Sequence, residues 1–183
     1  MDYVFLWRPV MEALPQLLLA ALVTIEVAVI SMAIGMVFAF ILFFGRSSKS
    51  WILRLTSNVW IEVARNTPAL FQLFFFKFGL GAIGIIIDSY ITVVMALAFN
   101  TAGYMAETFR GGFKAVPSSQ LNSARSLVMT FPPAQCYVVI PPVLRAVLHP
   151  FTKQFILLML LISFLLLFVL PTLLWDTSFL NSS

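Results

Sequence analysis

From Val27 to Gly45 the chain carries no charged side chain, and from Gln154 to Trp175 there is again none. About 20 apolar residues, rising 1.5 Å each, cross a hydrocarbon core of about 30 Å, so uncharged runs of this length are membrane spans before anything else. Two more segments have the same character. Residues 67–87 are interrupted only by Lys77, and the stretch between Asp88 and Glu107 holds no charge. The first run extends back to Leu17 with Glu26 as its one ionisable residue. Charged residues make up only 10% of the 183 residues against 61% hydrophobic, too few to wet the surface of a soluble domain. The expected fold is therefore all-α: a polytopic transmembrane bundle, one domain over residues 1–183, with about four spans at 17–44, 67–87, 89–108 and 154–175.

Charge placement orients the bundle. Arg46, Lys49, Arg54 and Arg65 flank the first connection, and Arg110, Lys114, Arg125, Arg145 and Lys153 fall in a long connection at 109–150 and its edge, without an acidic residue between Arg110 and Lys153. Nine of the eleven Lys and Arg residues thus lie on one side, leaving Arg8 and Lys77 for the other. The positive-inside rule puts both connections in the cytoplasm and the N-terminus outside. Asp2 and Glu12 replace the basic n-region of a cleaved signal. A formal charge of +4 is explained by these loops, so nucleic acid is not an expected partner and the lipid bilayer is. Cys136 and His149 are single occurrences of their types, which argues against a disulfide framework and a metal site.

Gly79, Gly81 and Gly84 mark an outward-facing turn before Asp88. Thr67-Pro68 is expected to open a helix, with Thr67 as cap and Pro68 in the first turn. In the long connection Ser119 is a candidate N-cap for a short helix through Ser123, Ala124, Leu127 and Val128, ended by Pro132-Pro133. A second short helix at 134–140 is expected to stop before Pro141-Pro142. Such a pair is either a docking element for a partner or a surface-lying amphipathic loop.

Four pieces in order and spacing carry a family resemblance. They are Glu62, Arg65, Thr67, Pro68, Leu70, Gln72 and Leu73; then Asn100, Ala102, Tyr104, Ala106, Glu107 and Arg110 to Gly112; then Val116-Pro117 with Gln120 to Leu127; and Ile140-Pro141 through Arg145, Pro150 and Gln154-Phe155. Together they resemble the membrane subunit of ATP-binding-cassette importers of the polar amino-acid uptake class, over about Leu17 to Leu158. The resemblance implies a multi-pass permease in a bacterial cytoplasmic (inner) membrane. It implies cytosolic ATPase subunits as partners, a second permease subunit in a homo- or heterodimer, and an extracytoplasmic solute-binding protein. It also implies no catalysis and no cofactor here, ATP being bound by the partner, in accord with the lack of a phosphate-cradling glycine loop. Gln120, Asn122, Ser123, Ala124, Arg125 and Val128 would form the ATPase-coupling loop. Asn122 stands where the family has Glu, and Val128 where it has a Gly free to take a positive φ. The apolar run after Leu158 departs from the family's polar patch and is expected to leave the C-terminus outside. Two rival readings follow from these departures: a permease that assembles without transporting, and a small membrane scaffold or regulator. A secondary transporter would be longer, with repeats that are not seen.

Single residues have their own expectations. Glu26, inside a span, points to a bundle interior or water and is a pathway candidate. Asn100, Thr101 and Tyr104, grouped on one helical face, either line the pathway or bond helix to helix. Glu107 pairs with Arg110, Glu62 with Arg65, and Lys77 snorkels to the headgroups. Ser31, Gly35 and Ala39 form a close-packing seam, and His149 is structural.

Overall fold

The computed structural model describes residues 7–117, 119–120, 126 and 131–180, and among these the chain is helical with no strand. Five helices with described bounds follow one another, and Ser119, Gln120 and Ser126, between the last two, are helical as well. The first, α1 (Trp7–Arg46), has Leu17–Arg46 as its span-length apolar part. At 1.5 Å per residue that part is about 45 Å long, so it tilts or extends past the hydrocarbon core. Ala28, Met32, Gly35, Ala39 and Leu42 recur every three or four residues and are all buried, a stripe made mostly of small side chains.

The second helix, α2 (Trp51–Asn66), buries Ser57, Ile61 and Ala64 on one face and exposes Trp51, Leu53, Leu55 and Val59 on others. It ends at Thr67 because Pro68 follows. The ring of a proline drives the preceding residue out of the helical region, and Thr67 is extended at φ −107° and ψ 136°. The expected roles of this pair are thereby corrected. Thr67 closes α2, its hydroxyl donating back to Val63 O at 2.6 Å, while Pro68 takes the cap position before α3.

The third helix, α3 (Ala69–Ala82), contains a π turn at Phe75–Gly79. Gly84, at φ 86°, follows it and lets the Ile85 amide fold back on Leu80 O at 3.0 Å, the left-handed helix ending that glycine favours. Lys77, expected to snorkel, has protein partners at this turn. Its ammonium donates to Ile87 O at 3.2 Å and to Ser89 Oγ at 2.9 Å, pinning this turn.

The fourth helix, α4 (Ser89–Lys114), is capped by Asp88, whose carboxylate accepts from the Tyr90 amide at 2.8 Å. It touches the other four helices and is the most buried of the long ones. Against α1 it sets Ala98 and Thr101 around Gly35, and the Phe40–Phe109 and Phe43–Phe113 rings stack at 4.5 and 5.2 Å.

The fifth, α5, runs as Phe131–Ala134, a π turn at Gln135–Val139, and Ile140–Leu180 without a break. Pro132-Pro133 sit in the first described turn of α5, where a missing N–H is no loss, and residues 127–130, where the preceding short helix was expected to end, lie outside the described residues. One expectation is overturned: Pro141-Pro142 do not end a helix. In α geometry their rings collide with the carbonyls of Tyr137 and Val138. The π turn just before them widens the coil, with the Ile140 amide reaching back five residues to Gln135 O. Within the expected connection at 109–150, α4 therefore runs on to Lys114 and α5 is helical from Phe131, and Ser119, Gln120 and Ser126 between them are helical as well.

By length and composition three helices are candidate spans, Leu17–Arg46, Ser89–Lys114 and Pro132–Phe164. The expected segment at 67–87 is the shorter apolar helix α3, about 21 Å long at 1.5 Å per residue.

Candidate functional site

Pro68 shapes the site as well as the chain. It stands four residues after Ala64, where an α-helix would supply the N–H that bonds the Ala64 carbonyl, and proline has none to give. A buried carbonyl without a donor is costly. Two side-chain amides fill the gap: Gln72 Nε2 donates to Ala64 O at 2.9 Å, and Asn100 Nδ2 donates to it at 3.2 Å. Gln72 also donates to Thr67 O at 3.1 Å and to Thr67 Oγ1 at 2.7 Å, so the break between α2 and α3 is laced from within. Asn100 in turn accepts from Gln154 Nε2 at 3.2 Å. Gln72, Asn100 and Gln154 are 4%, 5% and 7% exposed, and the three amides join α2, α3, α4 and α5 through one carbonyl.

Beside this knot lies an open cavity of about 870 Å³, of a size usual for small-molecule sites. Arg65, Asn66 and Thr67 reach it from the helix break, Asn100 and Tyr104 from α4, and His149, Lys153 and Gln154 from α5. Tyr104 is anchored there, its hydroxyl donating to Arg65 O at 3.2 Å. The wall is mixed, with Pro68, Ala69, Met105 and Leu158 as apolar partners.

Of the four pathway candidates, the structure brings Asn100 and Tyr104 to this cavity and places two elsewhere. Thr101, one residue and about 100° further round α4, is fully buried against Gly35 with its hydroxyl unpartnered. Glu26 is exposed on the flank of α1, not in a bundle interior, and accepts from Tyr90 OH at 2.9 Å. Glu62 accepts from Asn66 Nδ2 at 2.9 Å, and the expected pair with Arg65 is not formed.

Glu107 makes the expected pair with Arg110 and a second with Arg46 at 2.7 Å, tying the end of α1 to α4. These are the ion pairs among the described residues. Of the coupling-loop candidates Gln120 is helical and exposed, its amide donating to Pro117 O at 3.1 Å. Ser119 is helical too, inside the turn instead of capping it. Asn122, Ser123, Ala124, Arg125 and Val128 lie outside the described residues.

Sequence reasoning missed Lys153, Gln154 and His149 as cavity residues, and it assigned Arg65 to an ion pair. One signal was present. Asn100 and Gln154 are polar residues beside or within long apolar runs, and such residues seek partners on other helices.

The chain was compared with known proteins. Residues 31–181 match the family model described as binding-protein-dependent transport system inner membrane component. The match thus runs past Leu158, where the sequence resemblance was read as ending. The octopine transport system permease protein OccM of Rhizobium radiobacter is 33% identical over 165 residues, covering 85% of this chain and 66% of that protein, so the chain spans just under two thirds of its length. The probable glutamine ABC transporter permease protein GlnP of Bacillus subtilis is 31% identical over 87% of this chain and 73% of its own. The glutamine transport system permease protein GlnP of Escherichia coli is 29% identical over 83% and 70%. Among solved structures, one described as the crystal structure of an amino acid ABC transporter with histidines superposes with a TM-score of 0.78. It is 29% identical over 90% of this chain and 76% of that one. With a family model matched over most of its length, the chain belongs to the binding-protein-dependent transport system inner membrane components, and the relatives it resembles include permease proteins of glutamine and octopine transport systems.

Proposed function

We propose that this chain forms part of the translocation pathway for a polar amino acid, driven by ATP hydrolysis on separate cytosolic subunits. The observation that carries the reading is the cavity between α2, α3, α4 and α5, where buried amides and exposed cations meet an apolar wall inside a membrane bundle. A zwitterionic solute needs such a surface, because its charged ends lose water on leaving the aqueous phase. Asn100 and Tyr104 are the pathway residues of this reading, and Arg65, Lys153 and Gln154 join them. Thr101 acts in packing, and Glu26 in the bond to Tyr90.

The functional unit pairs this chain with a second permease subunit, identical or related, in the inner membrane of a bacterium. Two ATPases bind nucleotide and the polar elbow at 115–130; this chain itself holds no cofactor and catalyses nothing. A solute-binding protein delivers the amino acid from outside. The family match and the amino-acid permeases among the relatives support this assembly.

The test is ATP-driven uptake of radiolabelled amino acids into vesicles carrying the assembled transporter, with photo-crosslinkers placed at Gln120 and Ser126. Accumulation of an amino acid together with crosslinks to the ATPase is expected. Vesicles that hydrolyse ATP yet accumulate no amino acid, or crosslinks that never reach the ATPase, would overturn the proposal.

A further inference from the structure

The charges around the cavity are all of one sign. Arg65, Lys153 and His149 line it, and no Asp or Glu does. None of these three side chains has a hydrogen bond or direct ion pair among the described residues; Arg65 is within electrostatic reach of Glu107, as the weakest of the three cations acting on that carboxylate, and Lys153 and His149 face none. The two carboxylates nearest in sequence to the lining are engaged elsewhere. Glu62, one turn before Asn66, is bonded to the Asn66 amide, and Glu107 is held between Arg46 and Arg110.

The neutral polar groups complement this. Tyr104 gives its hydroxyl proton to Arg65 O at 3.2 Å, and Thr108, also lining the cavity, gives its own to Tyr104 O at 2.9 Å. Each hydroxyl oxygen therefore presents lone pairs to the cavity, and these suit an ammonium group.

A free amino acid brings one carboxylate and one ammonium on its main chain. Its carboxylate takes one of the two permanent cations and its ammonium the hydroxyl oxygens. The second cation is left facing the side chain. A neutral side chain leaves that charge partly desolvated and unpaired, a basic one adds a like charge beside it, and an acidic one matches it.

We infer that the cavity selects amino acids with an acidic side chain over neutral and basic ones. This rests on the cavity being the pathway, and it goes further by fixing the charge class of the substrate. Arg65 and Lys153 set the selectivity, at the end of α2 and on α5 respectively.

The test is binding of L-glutamate, L-glutamine and L-arginine to the full chain in lipid nanodiscs, read by saturation-transfer NMR, which detects weak ligands. Glutamate is expected to bind on the order of tenfold tighter than glutamine, with arginine weakest. Lys153→Gln and Arg65→Gln each bring glutamate close to glutamine, and Lys153→Glu puts arginine ahead of glutamate, while circular dichroism shows the fold retained. Thr108→Trp, which sets an indole beside the Tyr104 and Thr108 hydroxyl positions in the cavity, blocks binding of all three.

Two failures are distinguishable. If arginine or glutamine binds as tightly as glutamate and Thr108→Trp blocks it, the pathway stands and the charge inference is overturned. If nothing binds, or Thr108→Trp leaves binding unchanged, both are overturned.

Discussion

The contact between α1 and α4 is so close at Gly35 that one added methyl group should report on it. A Cβ built there would lie 2.6 Å from Thr101 Cβ, 2.7 Å from Thr101 Cγ2 and 3.1 Å from Ala98 O. Carbon atoms rest at about 3.5–4.0 Å, so Gly35→Ala forces the two helices apart by about 1 Å along a seam of fully buried residues that includes Ala28, Ser31 and Ala39. Overpacking of this kind costs about 1–3 kcal/mol. Replacing a helical glycine by alanine also returns about 1 kcal/mol of helix propensity, leaving a net loss of roughly 0–2 kcal/mol. Gly111, on α4, separates the two contributions, because nothing lies within 4 Å of its hypothetical Cβ. Gly111→Ala gains the propensity alone, so the difference between the two variants is the overpacking by itself. Thr101→Gly removes the obstructing carbons. In the double variant with Gly35→Ala, a favourable coupling of about 1–2 kcal/mol is expected from a double-mutant cycle. Reversible unfolding in mixed micelles, followed by circular dichroism, gives all four stabilities. Should Gly35→Ala track Gly111→Ala to within about 0.5 kcal/mol, or the cycle show no coupling, the seam is not what holds α1 to α4.

Two further substitutions probe the polar contacts. Glu107→Gln removes the charge shared by Arg46 and Arg110; because these side chains are 20–43% exposed, the loss is only about 1 kcal/mol. The gap to the parent closes at about 1 M salt, where the Debye length is ~3 Å, and a gap that persists there would contradict an electrostatic origin. Gln72→Leu keeps the volume but leaves Thr67 O and Thr67 Oγ1 without its amide and Ala64 O with Asn100 alone, for a loss of about 1–3 kcal/mol in denaturant unfolding. An unchanged midpoint would show that water serves those acceptors equally well.

The sequence-derived fold held where apolar runs and helix length coincide. The run opening after Asp88 is a helix from Ser89, whereas of the three glycines before it only Gly84, with its positive φ, lies in the turn, Gly79 and Gly81 being inside α3. It failed where apolarity and helix length part company. Residues 67–87 are apolar enough for a span, yet the continuous helix stops at Ala82, since composition does not report where the backbone turns. Pro141-Pro142 misled for a different reason. The rule that proline stops a helix presupposes α geometry, and a π turn upstream lifts the clash without leaving a trace in residue spacing. For the site, the i, i+4 relation of Asn100 and Tyr104 was enough to put both at the cavity. Thr101 was grouped with them, but the close approach at Gly35, a tertiary fact, claims it for the opposite side. For Glu26, a carboxylate within an apolar run left two readings, a bundle interior or water; it is exposed, and a tyrosine on the neighbouring helix satisfies it at the flank.

The residues that make the cavity polar trace to one backbone defect. Without Pro68, α2 could continue, the Ala64 carbonyl would be bonded by its own helix, and the amides of Gln72 and Asn100 would be buried without that acceptor. With Pro68 in place, those amides are obligatory substitutes for a missing N–H, and Asn100 then needs a donor of its own, which Gln154 supplies from α5. The same break ends α2 at Asn66, turns Thr67 into an extended conformation and leaves Arg65 O to receive Tyr104. A polar site deep in a hydrocarbon-facing bundle is therefore held by backbone demand and not by side-chain pairs alone. That is why its members are spread over four helices and about ninety residues of chain, with Gln72 alone making three of the bonds.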